Sequence, residues 1–274
     1  VIVSVPVLLG IPYDASSSFL RGAAEGPPLI RAALHSPAGN TWSEGLVDVC
    51  GPGGLEDAGD MVIGAPGELV DPLAGRVATL AATGRTPIVL GGDHTITYPI
   101  VMGLGRVTLP FAILHIDAHP DLYDVFEGNR LSHACPFARI MERKLATRLV
   151  QVGIRAMNGH QRVQADRFGV DIIDMRRWAQ GDRPTIAGPV YVSIDLDGID
   201  PAFAPGVSHR EPGGLSVRDV IALIHGLDGP LVGADIVEFN PRQDPTGVTA
   251  GVAAKLVKEL AGHCLAGRTE GAAS

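Results

Sequence analysis

The chain is poor in cysteine: Cys50, Cys135 and Cys264 are odd in number, far apart and without C-x-x-C spacing. That excludes a disulfide framework and a thiolate zinc site, and it makes a reducing cytoplasm the expected setting. No run of about twenty apolar residues is present, so no membrane-spanning helix is expected. Positive charge is not in excess either. The formal charge is −8, with the acids gathered in short motifs rather than in a tail, which argues against a nucleic-acid partner and for a small molecule. The opening Val1-Ile2-Val3-Ser4-Val5 has a strand pattern and no basic n-region, so no targeting peptide is expected there. Repeats and low-complexity linkers are missing as well.

What remains is a chain of 274 residues, 46% hydrophobic and 19% charged, able to bury a large core. Apolar strand-like runs alternate with helical patterns throughout, as expected of a single α/β domain over residues 1–274. Val5 to Leu9 reads as a first strand, followed by a polar, Gly- and Pro-rich loop through Ser16-Ser17-Ser18. Pro27 and Pro28 open a short helix through Leu34, because a first helical turn has no use for the missing N–H. Residues 36–60 read as mostly irregular. Asp71-Pro72, with Leu73, Val77 and Leu80 behind it and Gly84 beyond, predicts a helix capped by Asp71. Leu149 to Gly153 reads as a strand, Ser216 caps an amphipathic helix using Val217, Val220, Leu223, Ile224 and Leu227, and residues 248–265 form a last helix.

Chemistry collects where apolar strands run out. Ile113-Leu114-His115-Ile116 is followed by Asp117-Ala118-His119-Pro120-Asp121, and alternate positions share a face if the extended run persists. Pro87 to Leu90 ends in Gly91-Gly92-Asp93-His94, whose glycines let backbone pass close by. Val190 to Ile194 runs into Asp195-Leu196-Asp197. Buried unpaired carboxylates are costly, so three strands that deliver Asp or His to one sheet edge point to a divalent metal. Ser132-His133-Ala134 and the strand Leu231 to Val237, ending on Glu238-Phe239-Asn240-Pro241, are placed to reach the same edge.

These residues resemble the ureohydrolases, the family of arginase and agmatinase, from about Leu8 to Leu260. Four motifs carry the resemblance: Gly-Gly-Asp-His (91–94), Asp-Ala-His-x-Asp (117–121), Ser-x-Asp-x-Asp (193–197) and Glu-x-Asn-Pro (238–241). Around them, Asp124 to Asn129, Ser132 to Glu142 and Pro201 to His209 look most like the plant-type arginase branch. The resemblance implies an arginase-like three-layer α/β/α sandwich with a mainly parallel central sheet. It implies that His94 and Asp121 bind one metal, that His119 and Asp197 bind the other, and that Asp117 and Asp195 bridge both. It also implies a trimer or hexamer of identical subunits. The four carboxylates offset two divalent ions, and a metal-bridging hydroxide leaves about one negative charge for a guanidinium. Oxygen ligands favour two Mn²⁺ per subunit, while two imidazoles leave Ni²⁺, Fe²⁺ or Zn²⁺ open.

The activity so implied is hydrolysis of arginine or agmatine to urea and ornithine or putrescine, with guanidinobutyrate or guanidine as other candidate substrates. Asp121 accepts a proton, Glu238 orients the guanidinium, and His133 passes a proton to the departing amine. Substrate contacts are expected from Glu238, His133, Asn129, His209 and Arg210, with the loops Asp14 to Ser18, Tyr123 to Arg130 and Ser208 to Arg210 as the candidates to meet the rest of the substrate. His115 reads as a hydrogen-bonded neighbour of the metal site, and Cys135 as inert. His209-Arg210 replaces the Thr-Pro of animal arginases, and their Asn- and Ser-rich amino-acid-binding pattern is missing after Asp121, where Tyr123 and Asp124 stand. A binuclear phosphoesterase would offer Gly-Asn-His-Glu, but Gly128-Asn129 continues into Arg130-Leu131. A non-catalytic metal-binding relative would lose ligands, and none of the six is missing.

Overall fold

The computed structural model describes residues 5–64, 67–108 and 110–271, so the opening Val1 to Ser4 lies outside it. Among the described residues, eight strands form one sheet: β1 (Val5–Gly10), β2 (Glu56–Asp60), β3 (Arg85–Leu90), β4 (Ala112–Ile116), β5 (Arg148–Val152), β6 (Asp171–Ile173), β7 (Val190–Asp195) and β8 (Leu231–Val237). Their order is β2-β1-β3-β8-β7-β4-β5-β6, and every pairing is parallel, more uniform than the mainly parallel sheet expected. Buried on both faces, β4 and β7 read as near-continuous apolar runs.

Helices α1 (Gly26–Leu34), α2 (Val70–Ala82), α3 (Thr97–Leu104), α4 (Pro136–Glu142), α5 (Gly159–Phe168), α6 (Met175–Ala179), α7 (Val217–His225) and α8 (Val248–Gly271) cover the sheet. Alternation along the strands sorts the core into two layers. Leu8, Ile88, Leu114, Val192 and Ile236 pack with Ile30, Ile224 and Leu260 of α1, α7 and α8. Leu9, Val89, Ile113 and Tyr191 pack with Val77, Ile100 and Phe137 of α2, α3 and α4. This is the three-layer sandwich.

One local expectation holds with an addition, and one is corrected. Residues 36–60 contain β2, an edge strand of Glu-Asp-Ala-Gly-Asp with no buried position, which apolar alternation cannot reveal. Helix α2 begins a residue before Asp71: Leu69 is its N-cap, and Asp71 lies inside the first turn, where its charge favours the helix N-terminus. Ser216 does cap α7, its Oγ accepting from Asp219 N while the Asp219 carboxylate returns to Ser216 N.

Candidate metal centre

The motif-bearing strands β3, β8, β7 and β4 are four adjacent strands at the middle of the sheet. Because they are parallel, their carboxyl ends open on one edge, where open α/β sheets bind ligands. Glycines close the distances there. A Cβ on Gly198 would lie 2.7 Å from Asp117 N, and one on Gly92 would lie 1.6 Å from Tyr13 O. The first lets the end of β7 press against that of β4; the second admits the loop after β1.

The ligand candidates converge. His94 Nδ1 lies 3.0 Å from Asp121 Oδ2 and 3.3 Å from both Asp117 Oδ2 and Asp195 Oδ2. His119 Nδ1 lies 3.2 Å from Asp197 Oδ2 and 3.4 Å from Asp117 Oδ1. The two oxygens of Asp117 therefore face two different imidazoles. Asp195 faces one imidazole only, His94, through Oδ2; its Oδ1 accepts from Asp197 N at 2.8 Å, as Asp117 Oδ1 accepts from His119 N at 2.6 Å. Asp121 reaches His94 by a turn, not by an extended run: its φ is +50°. Glu238 also sits in left-handed backbone, at φ +63°. Each such conformation costs on the order of 1–3 kcal/mol, which the packed strand ends sustain.

Hydrogen bonds fix which atoms are free. Ser193 Oγ donates to Asp235 Oδ1 at 2.6 Å, so at 3.0 Å from His94 Nε2 it accepts, leaving Nδ1 as the bare nitrogen. Buried and without a hydrogen bond of its own, Nδ1 faces three carboxylate oxygens. Such a nitrogen is stable only with a positive charge among them, a proton or a cation. His115 behaves otherwise. Gln151 Nε2 donates to its Nδ1 at 3.0 Å, so His115 Nε2 carries the proton and meets Asp117 Oδ2 at 2.8 Å. It orients Asp117 and has no lone pair for a metal.

Charge at this edge is under strain. Burial and the neighbouring carboxylates Asp197 and Asp117 push Asp195 well above the usual carboxylate range, and burial with Asp117 pushes Asp197 up to about 7. Burial opposes a charged His94, but the carboxylates of Asp117, Asp121 and Asp195 outweigh it and raise its pKa. Protons or divalent cations can supply the compensation, so the donor set of two imidazoles and four carboxylates fits a pair of hard divalent ions.

Above these residues lies a cleft of about 190 Å³, lined among others by Ser18, His119, Tyr123, Phe126, His133, His209 and Glu238. Glu238 Oε1 accepts from His94 N at 2.9 Å and lies 3.4 Å from His133 Nδ1. Burial works against the imidazolium of His133, yet Glu238 more than offsets it and lifts the pKa to about 9. His209 stacks on His133 with centroids 5.6 Å apart. Burial pushes the Cys135 thiol up to about 11, in line with an inert residue. A larger cavity of about 350 Å³ beside α7 holds only one carboxylate, Asp219, already committed to the helix cap.

Three expected substrate contacts are not brought to the cleft. Arg210 points away, its guanidinium donating to Pro205 O at 2.8 Å and Gln243 Oε1 at 3.1 Å. Arg130 is held by Asp124 and Glu142. Exposed Asn129 turns its Oδ1 to Leu131 N. Conversely, sequence reading passed over Glu211, whose Oε1 lies 3.8 Å from His119 Nε2, and Arg155, which donates to Asp197 O, Gly198 O and Glu211 O and so ties the metal edge to the His209 loop. No motif marks either.

A model of the arginase family matches residues 5–262. Arginase 1, mitochondrial, of Arabidopsis thaliana is 47% identical over 272 residues, 93% of this chain and 79% of that protein. The solved arginase from Medicago truncatula superposes with a TM-score of 0.90 at 43% identity, over 94% of this chain and 87% of that one. Guanidinopropionase of Pseudomonas aeruginosa is 36% identical over 92% of this chain and 84% of its own. The expected cytoplasmic location is overturned: similar plant arginases are named mitochondrial or chloroplastic/mitochondrial. Free thiols report redox conditions, which do not identify a compartment.

Proposed function

Because the chain belongs to the arginase family of hydrolases, we propose that it hydrolyses arginine, and agmatine beside it, to urea and ornithine or putrescine. The observation that carries this reading is Asp117, whose two oxygens face His94 and His119, with the Glu238–His133 pair joined to the same centre where Glu238 accepts from His94 N. His94, Asp117, His119, Asp121, Asp195 and Asp197 would hold two Mn²⁺ per subunit. When bound, the ions supply the acidity that makes water a nucleophile at neutral pH.

The remaining steps belong to the side chains. Glu238 accepts the guanidinium N–H groups and holds the carbon over the floor of the cleft. Asp121 takes up the proton shed by the attacking water, and His133, protonated below about pH 9, passes one to the departing amine. Among the described residues lining the cleft, none is Arg or Lys. The carboxylate of arginine would then meet neutral donors such as Tyr123 and Gln161, and a substrate without it, agmatine, would not be refused. Residues 1–274 form one ureohydrolase domain in this reading, assembled as a trimer or hexamer. Urea release from arginine, agmatine, guanidinobutyrate, guanidinopropionate and guanidine by the Mn²⁺-loaded chain tests it. Arginine is expected to lead and agmatine to follow; urea from guanidinobutyrate or guanidinopropionate but from neither arginine nor agmatine would overturn the substrate assignment.

A further inference from the structure

Residues 11–22 leave β1 and reach the cleft, where contacts from three distant parts of the chain fasten them. Ser16 N donates to Asp93 Oδ2 at 2.8 Å, Ser208 Oγ donates to Leu20 O at 2.7 Å, and Asn240 Nδ2 donates to Leu20 O and Arg21 O at 3.4 Å. Between these fastenings Ser18 is exposed to solvent, lines the cleft, and places its Oγ 2.9 Å from His133 Nε2. The other ring nitrogen faces Glu238, and His209 and Phe126 stand against the ring. The His133 side chain is only 11% exposed. Ser18 is thus the polar group between Nε2 and water.

We propose that Ser18 is the relay through which His133 exchanges its proton with solvent, a positioning residue that acts through His133 and not on the substrate. The proposal rests on the hydrolase reading above. The reaction R–NH–C(NH₂)₂⁺ + H₂O → R–NH₃⁺ + OC(NH₂)₂ takes up no net proton. The proton that His133 gives to the amine must be replaced before the next turnover, while the water consumed sheds one to solvent. Once Nε2 has given its proton to the amine, a water molecule gives a proton to Oγ as Oγ passes its own to Nε2, and the hydroxide so left takes up the proton shed by the water consumed, so the hydroxyl is unchanged by each hop. A hydroxyl suits this place because it donates and accepts at once.

In the metal-loaded chain, Ser18→Ala should lower kcat about tenfold with KM unchanged, less than the 10²–10⁴ that a proton-transferring group itself supplies. Ser18→Thr should restore the rate, and added imidazole should raise kcat of Ser18→Ala but not of the wild type. Exchange of the His133 Nε2 proton with water, followed by NMR on ¹⁵N-histidine-labelled protein, should be slower in Ser18→Ala whether or not the chain turns over substrate. Wild-type kcat in Ser18→Ala, a rise in KM alone, no restoration by threonine, or unchanged exchange would each overturn the relay. If the wild type releases no urea from any guanidino compound, the hydrolase reading falls, and the exchange rate alone decides the relay.

Discussion

At the floor of the cleft, His94, Asp117, Asp121, Asp195 and Asp197 are at most 6% exposed and come from the ends of adjacent strands. At the rim, Asn129, Arg130 and Arg210 are exposed and spend their hydrogen bonds on neighbours outside the cleft. Position at the floor follows from the parallel sheet, which leaves little choice about where a strand-end carboxylate points. Position at the rim follows from loop contacts that chain order does not announce. The floor should therefore tolerate substitution least, and the rim most.

The largest effect is expected at Asp117, the carboxylate that faces both imidazoles. Asp117→Ala should lose both metals and all measurable activity, and Asp195→Ala somewhat less, because only one of its oxygens faces an imidazole. Metal content per subunit checks the order; equal retention in wild type and Asp117→Ala would erase the distinction between floor and rim. Next come the residues just above. Glu238→Gln should keep metal and fold yet lose most turnover, and His133→Asn should lose on the order of 10²–10⁴ in kcat. Wild-type turnover in metal-replete His133→Asn would remove it from the chemistry.

A smaller effect concerns pH. Since burial lowers and Glu238 raises the His133 pKa, with Glu238 prevailing at about 9, the acid form that donates a proton is lost as pH rises through that value. The alkaline limb of kcat should lie there, and in the residual activity of Glu238→Gln it should move to lower pH. An unmoved limb would assign it to another group. The smallest effect belongs to the rim. Arg210→Ala should change KM for arginine within about twofold, the scale of an exposed polar contact. A tenfold rise confined to arginine would place Arg210 in the cleft after all.

Much of the floor was legible because buried parallel strands write themselves as apolar runs, and Asp or His at the end of such a run is conspicuous. Each of the four motif strands was readable this way, and the parallel topology gathers them. The polar edge strand β2 was not legible, having no buried face. Nor was the turn at Asp121, where a left-handed residue does what an extended run was expected to do. Ser18 and His133 are 115 positions apart, and the direction of Arg210 is set by Gln243, 33 positions away. No local pattern encodes such pairings. Cysteine usage spoke only of redox state, so the cytoplasmic expectation had no firm basis.

Two metal ions shared through Asp117 at the floor of the cleft are the central claim. Counting Mn²⁺ per subunit after saturation and removal of excess, in wild type and Asp117→Ala, tests this most directly. Two ions in the wild type and none in the variant are predicted; a single ion in the wild type, or two in both, would contradict it.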